Sequence, residues 1–125
     1  MTNTLLLELL VILGRGHWYK LFNSQDLAIS SIPDKKSILV DVAGTEVCVA
    51  RNGRALSAFL NLCPHNQMPL NRGTFNDKSE WICPYHRHCF ELKKGNNMTM
   101  SSAGNLQIFH LKVNASGVFI FKPRK

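Results

Sequence analysis

Four side chains in one short stretch have the chemistry of metal ligands: Cys63, His65, Cys83 and His86. They fall in two matched segments, Cys63-Pro64-His65 and Cys83-Pro84-Tyr85-His86, separated by residues 66–82. A thiolate and an imidazole one residue apart, followed by a thiolate and an imidazole two residues apart, offer two soft and two borderline donors. Such a set binds a metal centre.

Cys-x-His and Cys-x-x-His at this separation, with Pro after each Cys, resemble the hallmark of Rieske-type [2Fe–2S] proteins. In one kind of [2Fe–2S] centre two His replace two Cys on one of the irons, which requires this ligand set. The likeness runs from about Trp18 to Phe121, with Gly53-Arg54-Ala55-Leu56-Ser57-Ala58 leading into the first ligand loop, and leaves out only about residues 1–16. The resemblance implies a Rieske-type [2Fe–2S] cofactor, with Cys63 and Cys83 on the inner ferric ion and His65 and His86 on the outer one. It implies a one-electron carrier, either the ferredoxin component of a multicomponent oxygenase or a small reductase subunit. Its partners would be redox proteins, a reductase and/or a terminal oxygenase.

Two readings compete. A structural Cys2His2 zinc site would use the same four side chains, but Cys63-x-His65 is short for two ligands gripping one ion. A cluster-based redox or iron sensor would have to recognise nucleic acid or a regulator. Neither an oxygenase nor a reductase fits the chain by itself. Beyond His86 only His88 and His110 remain for a mononuclear iron site, and there is no dinucleotide fingerprint.

Several positions depart from the family pattern. Gln67 and Arg87 stand where Gly is common, and Gly marks positive φ or close backbone approach. His88 stands where similar ferredoxins often carry Trp, and is expected beside the site or exposed, not as a fifth ligand. Met68 and Tyr85 match the positions of the disulfide of respiratory Rieske proteins, and His88 matches their Ser, so neither device is present. Ser101-Ser102-Ala103-Gly104 lacks the Pro of the loop that forms the third wall in similar proteins. Met98 and Met100 are candidates for apolar shielding or for ordinary loop packing.

Length and charge bound the rest. A chain of 125 residues is one domain. Four Cys are too few for a disulfide scaffold, which fits a reducing, cytoplasmic setting. Cys48, in Val47-Cys48-Val49-Ala50, is expected in the core; Cys89, three residues past His86, is expected in the core or beside the site. Fifteen Lys and Arg against eight Asp and Glu give a formal net charge of +7. The charges are scattered, with no nucleic-acid motif, so the excess suits steering toward an acidic protein surface. The apolar run Leu5–Leu13 as a helix is roughly half the thickness of a bilayer core, so no membrane span is expected.

The elements that would position the ligands are strands. Candidates are Trp18–Phe22, Ser37–Val42, Glu46–Arg51, Ala55–Leu60, Leu106–Val113 and Val118–Phe121, with Asn52-Gly53 as a type I′ hairpin signal. Glu80-Trp81-Ile82 is a short strand delivering Cys83, and His17 and His110 are ordinary strand-region residues. The expected fold is all-β, a Rieske-like antiparallel sandwich or barrel. It has one domain over residues 1–125, an N-terminal apolar extension at 1–16, and an inserted cluster-binding subdomain of two ligand loops at about 61–104.

Overall fold

The computed structural model describes residues 13–85, 87–99 and 104–124. The apolar stretch 5–12, His86 and residues 100–103 lie outside the described residues. Ten strands are described: β1 Gly16–Phe22, β2 Ser37–Val42, β3 Thr45–Asn52, β4 Ala55–Leu60, β5 Thr74–Phe75, β6 Trp81–Ile82, β7 Cys89–Phe90, β8 Ile108–Phe109, β9 Leu111–Asn114 and β10 Gly117–Pro123. They form three antiparallel sheets, ordered β1-β10-β9, β2-β3-β4-β8 and β5-β6-β7.

The four-stranded sheet is the middle layer, and the reason is written in β3. Val47, Cys48, Val49 and Ala50 are all buried, although successive strand residues point to opposite faces. Val47 and Val49 pack into a core with Ile32, Ala58, Phe109 and Ile120. Cys48 and Ala50 pack into a second core with Phe59, Cys63, Leu70, Trp81, Cys83 and Phe90. A continuous apolar strand is thus the signature of a sheet covered on both faces. One cover is the sheet containing β10; the other carries the candidate ligands.

The second hairpin turn differs from expectation by one residue and in type. The register pairs Val42 with Thr45 and Asn52 with Ala55, so the two-residue turns are Ala43-Gly44 and Gly53-Arg54. Ala43 and Gly44 both have positive φ (49° and 86°), the type I′ pattern, with the Gly44 N–H donating to Asp41 Oδ1 at 2.8 Å. At the second turn only Gly53 is positive (65°), the pattern of type II′. The type I′ turn is thus found at the first hairpin, and Asn52-Gly53 does not form one.

The expected strand Leu106–Val113 divides at His110. Ile108–Phe109 pairs with β4, whereas Leu111–Asn114 pairs with β10. The chain passes here from the middle layer to an outer one. A helix, α1 (Gln25–Ser31), was not anticipated, since seven residues are too few to show a period. It starts at Ser24, whose Oγ accepts from the Leu27 N–H at 3.0 Å, and it buries Ala28 and the following Ile32, four residues on. Among the described residues no helix is long and apolar enough to cross a membrane.

Candidate metal centre

The sheet β5-β6-β7, which leads into the candidate ligand Cys83, is very small, so side chains hold it. Trp81 is fully buried, edge-on to Phe75 (centroids 5.1 Å apart) and tilted on Phe59 of β4 (5.3 Å). Its Nε1 donates to the Leu70 carbonyl at 3.0 Å, which ties β6 to the chain following the first ligand loop. Gly73 allows this approach, because a Cβ there would run into the Ile82 carbonyl oxygen and the Trp81 indole. The anticipated strand Glu80–Ile82 is seen as Trp81–Ile82. β5 and β7, each of two residues, had no periodic signal.

The two ligand loops share one hydrogen-bond pattern. The Cys63 N–H donates to the Met68 carbonyl (2.8 Å) and the Gln67 N–H to the Cys63 carbonyl (2.8 Å). Likewise the Cys83 N–H donates to the His88 carbonyl (2.8 Å) and the Arg87 N–H to the Cys83 carbonyl (3.0 Å). The residue four after each Cys has positive φ, 64° at Gln67 and 58° at Arg87. These are the two positions where the sequence departs from Gly. Gln and Arg take the left-handed conformation Gly would have taken, at about 1–2 kcal/mol each, so the loop geometry is kept.

This construction delivers both sulfurs inward. Cys63 and Cys83 are fully buried in one core cluster, and the Cys63 thiol lies within hydrogen-bonding reach of the Cys83 thiol. Burial pushes the Cys63 thiol pKa up. The His65 N–H, donating to its sulfur, pulls it down, the Cys83 thiol raises it, and the Asn66 N–H lowers it. The balance is upward. Metal binding would displace the Cys63 thiol proton, so loading at this sulfur is linked to proton release. His65, two residues after Cys63, is exposed. Two buried thiols within reach of each other and an exposed imidazole on the same loop suit a two-iron cluster with one sulfur-bound and one histidine-bound iron. His86 lies outside the described residues.

Asn61 is a residue the sequence reading missed. It is buried, and its Oδ1 accepts from the Leu70 N–H (2.7 Å), the Asn71 N–H (3.0 Å) and the Cys48 thiol (3.2 Å). One amide thus clasps the entry and the exit of the first ligand loop. No local motif announces this, since its partners lie about ten residues on and on a different strand. Cys48 is the expected core thiol, its pKa pushed up to about 12 by burial.

Of the two places expected for Cys89, the core is not the one it takes. It is half-buried, with its Sγ near the Arg87 carbonyl (3.6 Å) and Asn76 Nδ2 (3.8 Å). It begins a strand whose apolar anchor is the next residue, Phe90, so alternation turns Cys89 away. His88 is half-buried and its ring stacks on that of His65, with centroids 4.0 Å apart and planes 28° apart. Met98 is 54 % exposed, while its N–H donates to the Cys89 carbonyl at 2.7 Å. Of the expected third wall, Gly104 lies beside Pro64, where an added Cβ would sit 3.9 Å from the proline Cβ. Met100 and residues 101–103 lie outside the described residues. His17 lies in β1 and His110 between β8 and β9, both exposed.

The family model of the Rieske [2Fe-2S] domain matches residues 17–110. The chain belongs to this family; its cofactor is a Rieske-type [2Fe–2S] cluster and its activity is one-electron transfer. Among solved structures it is similar to the ferredoxin of carbazole 1,9a-dioxygenase from Nocardioides aromaticivorans IC177. Identity is 26%, coverage 76% of this chain and 91% of that one, and the TM-score 0.65. It shares its fold with a chain from a complex of reduced oxygenase and oxidised ferredoxin in carbazole 1,9a-dioxygenase (22% identity, 86% and 95% coverage, TM-score 0.69). It also shares it with a protein described as an NADH-dependent nitrite reductase small subunit from Mycobacterium tuberculosis (16%, 86% and 96%, TM-score 0.71). No curated protein matches.

Proposed function

We propose that Cys63, His65, Cys83 and His86 are the protein ligands of the cluster. In this reading residues 1–125 form one domain, with an apolar extension at 1–16 and about 61–104 as the cluster-binding subdomain. The observation that carries it is the matched pair of loops, which bring two buried thiols together and leave His65 at the surface.

When bound by these residues, the cluster would supply one-electron chemistry. The protein residues set how easily and by which route. Two neutral imidazoles in place of two thiolates reduce the negative charge of the ligand set, which makes electron uptake easier than at an all-thiolate site. The inner sulfurs are shielded by Phe59, Leu70, Trp81 and Phe90, so exchange with a partner runs through the histidine side. In the same loops Met68 and Tyr85 are 37 % and 47 % exposed, and Arg87 is exposed. Together with the net charge of +7, this face fits a partner with an acidic rim.

We assign the chain the role of a carrier between a reductase and a terminal oxygenase, or of a small subunit in a reductase complex. The ferredoxin and the nitrite reductase subunit it resembles support these two roles. Four free thiols suit a reducing, cytoplasmic compartment. The test is metal and sulfide analysis of the purified protein, electron paramagnetic resonance after reduction, and affinity capture from the native cell with the oxidised, cluster-loaded chain. Two irons and two sulfides per chain, with spectra of mixed His and Cys ligation, are expected. A colourless protein containing zinc would overturn the assignment.

A further inference from the structure

Histidines that bind metals are usually oriented by a neighbouring group, commonly a hydrogen-bond acceptor for the second ring nitrogen. His65 is exposed and sits in a loop. Its ring lies against the ring of His88, centroids 4.0 Å apart and planes 28° apart. His88 belongs to the other ligand loop and is held there from both sides. Its carbonyl accepts from the Cys83 N–H at 2.8 Å. The next residue, Cys89, donates from its N–H to Thr99 Oγ1 at 2.8 Å and accepts from the Met98 N–H at 2.7 Å.

We propose that His88 is a positioning residue: by stacking on His65 across the two loops, it fixes the ligand imidazole and ties the loops together over the cluster. The inference rests on the assignment of His65 as a ligand. The required property is a flat π-face of the right size, not a charge or a particular ring nitrogen. A fixed ring keeps its nitrogen at the metal and recaptures it after transient dissociation. A ring freed to rotate is lost to solvent and to competing chelators.

The experiment compares the cluster-loaded wild type with His88→Ala, His88→Leu, His88→Phe and His88→Trp. The first readout is chelator-driven bleaching of the oxidised protein at neutral pH. A stacked aromatic pair shifts an equilibrium by about 2- to 13-fold, so bleaching of the Ala and Leu variants should accelerate by that factor, while Phe and Trp stay near wild type. The second readout is pulsed electron paramagnetic resonance of the reduced protein, which reports the orientation of each ligand imidazole. One of the two imidazole-nitrogen couplings should change in the Leu variant and return in the Trp variant. The Leu variant has a side chain of comparable bulk and serves if the Ala variant does not accumulate.

Bleaching of Phe and Trp as fast as Leu overturns the proposal, as does wild-type bleaching in Leu or couplings unchanged across the series. Failure of the ligand assignment itself would look different: the wild type would already lack two imidazole-nitrogen couplings.

Discussion

Replacing Asn61 by Ala tests what holds the first ligand loop. The substitution removes one oxygen and leaves three donors: the N–H groups of Leu70 and Asn71 and the Cys48 thiol. Leu70 is fully buried, so its N–H loses about 1–3 kcal/mol with no water to replace the bond. Asn71 is half-buried and loses less, and a thiol is a weak donor. The sum is about 3 kcal/mol, a large part of the ~5–15 kcal/mol that stabilises a domain. Because Leu70 also accepts from Trp81 and Gly73, the effect should spread into β6. Native-state amide hydrogen exchange on the cluster-loaded protein is the assay. At 1.4 kcal/mol per tenfold, exchange at Leu70 and Asn71 should accelerate by about 100-fold. Amides pairing β2 with β3 should change little. Asn61→Asp keeps an acceptor for both N–H groups but buries a charge, and should fall between the two. Exchange at Leu70 within about threefold of wild type would refute the clasp, since that is under about 0.7 kcal/mol.

Other expectations follow from separate features. Cys63→Ser and Cys83→Ser should each abolish the cluster, seen as loss of iron, sulfide and visible absorption; retention of both would refute the ligand assignment. Gly95 has φ of 81°, and a Cβ there would run into the Leu106 carbonyl. Gly95→Ala should therefore cost about 3 kcal/mol by denaturant or thermal midpoint. The Cys48 thiol has a raised pKa, about 12 against an ordinary 9.0. Its contribution to stability is complete below pH 9 and disappears as pH rises toward 12, by up to about 4 kcal/mol. Cys48→Ala should accordingly lose less stability than wild type over that window. With no disulfide and no Ser hydroxyl at the matching loop positions, voltammetry at neutral pH should give a potential near the lower end of roughly −150 to +300 mV. A value of about +200 mV or more would point to the respiratory branch of the family.

The family and its cofactor were legible because metal chemistry restricts both residue type and spacing, and the hairpins because turn residues punctuate short apolar runs. Ser37–Val42 and Ala55–Leu60 coincide with the observed strands for that reason. What was not legible depends on distant partners. His110 divides a continuous β pattern because two different sheets claim its two sides, and local sequence does not encode which strand lies opposite. The Asn61 clasp and the His65–His88 stack join segments separated along the chain. Gln67 and Arg87 read as departures from Gly, yet backbone hydrogen bonds impose the same positive φ on them. The seven residues of α1 carry a cap and one buried face, too little for a period to emerge.

The way the chain leaves and re-enters the middle sheet has an engineering consequence. β4 ends at Leu60, whose N–H donates to the Gln107 carbonyl at 3.0 Å, immediately before β8. Everything between them, both ligand loops included, departs and returns across a single rung of the ladder. Such a segment can be transplanted between scaffolds by matching that rung, with almost no change in loop-closure entropy. The host must supply a floor equivalent to Phe59, Cys48 and Ala50, on which Trp81 and Phe90 rest. A graft that respects the rung but not the floor would thread correctly and still leave its tryptophan without a seat.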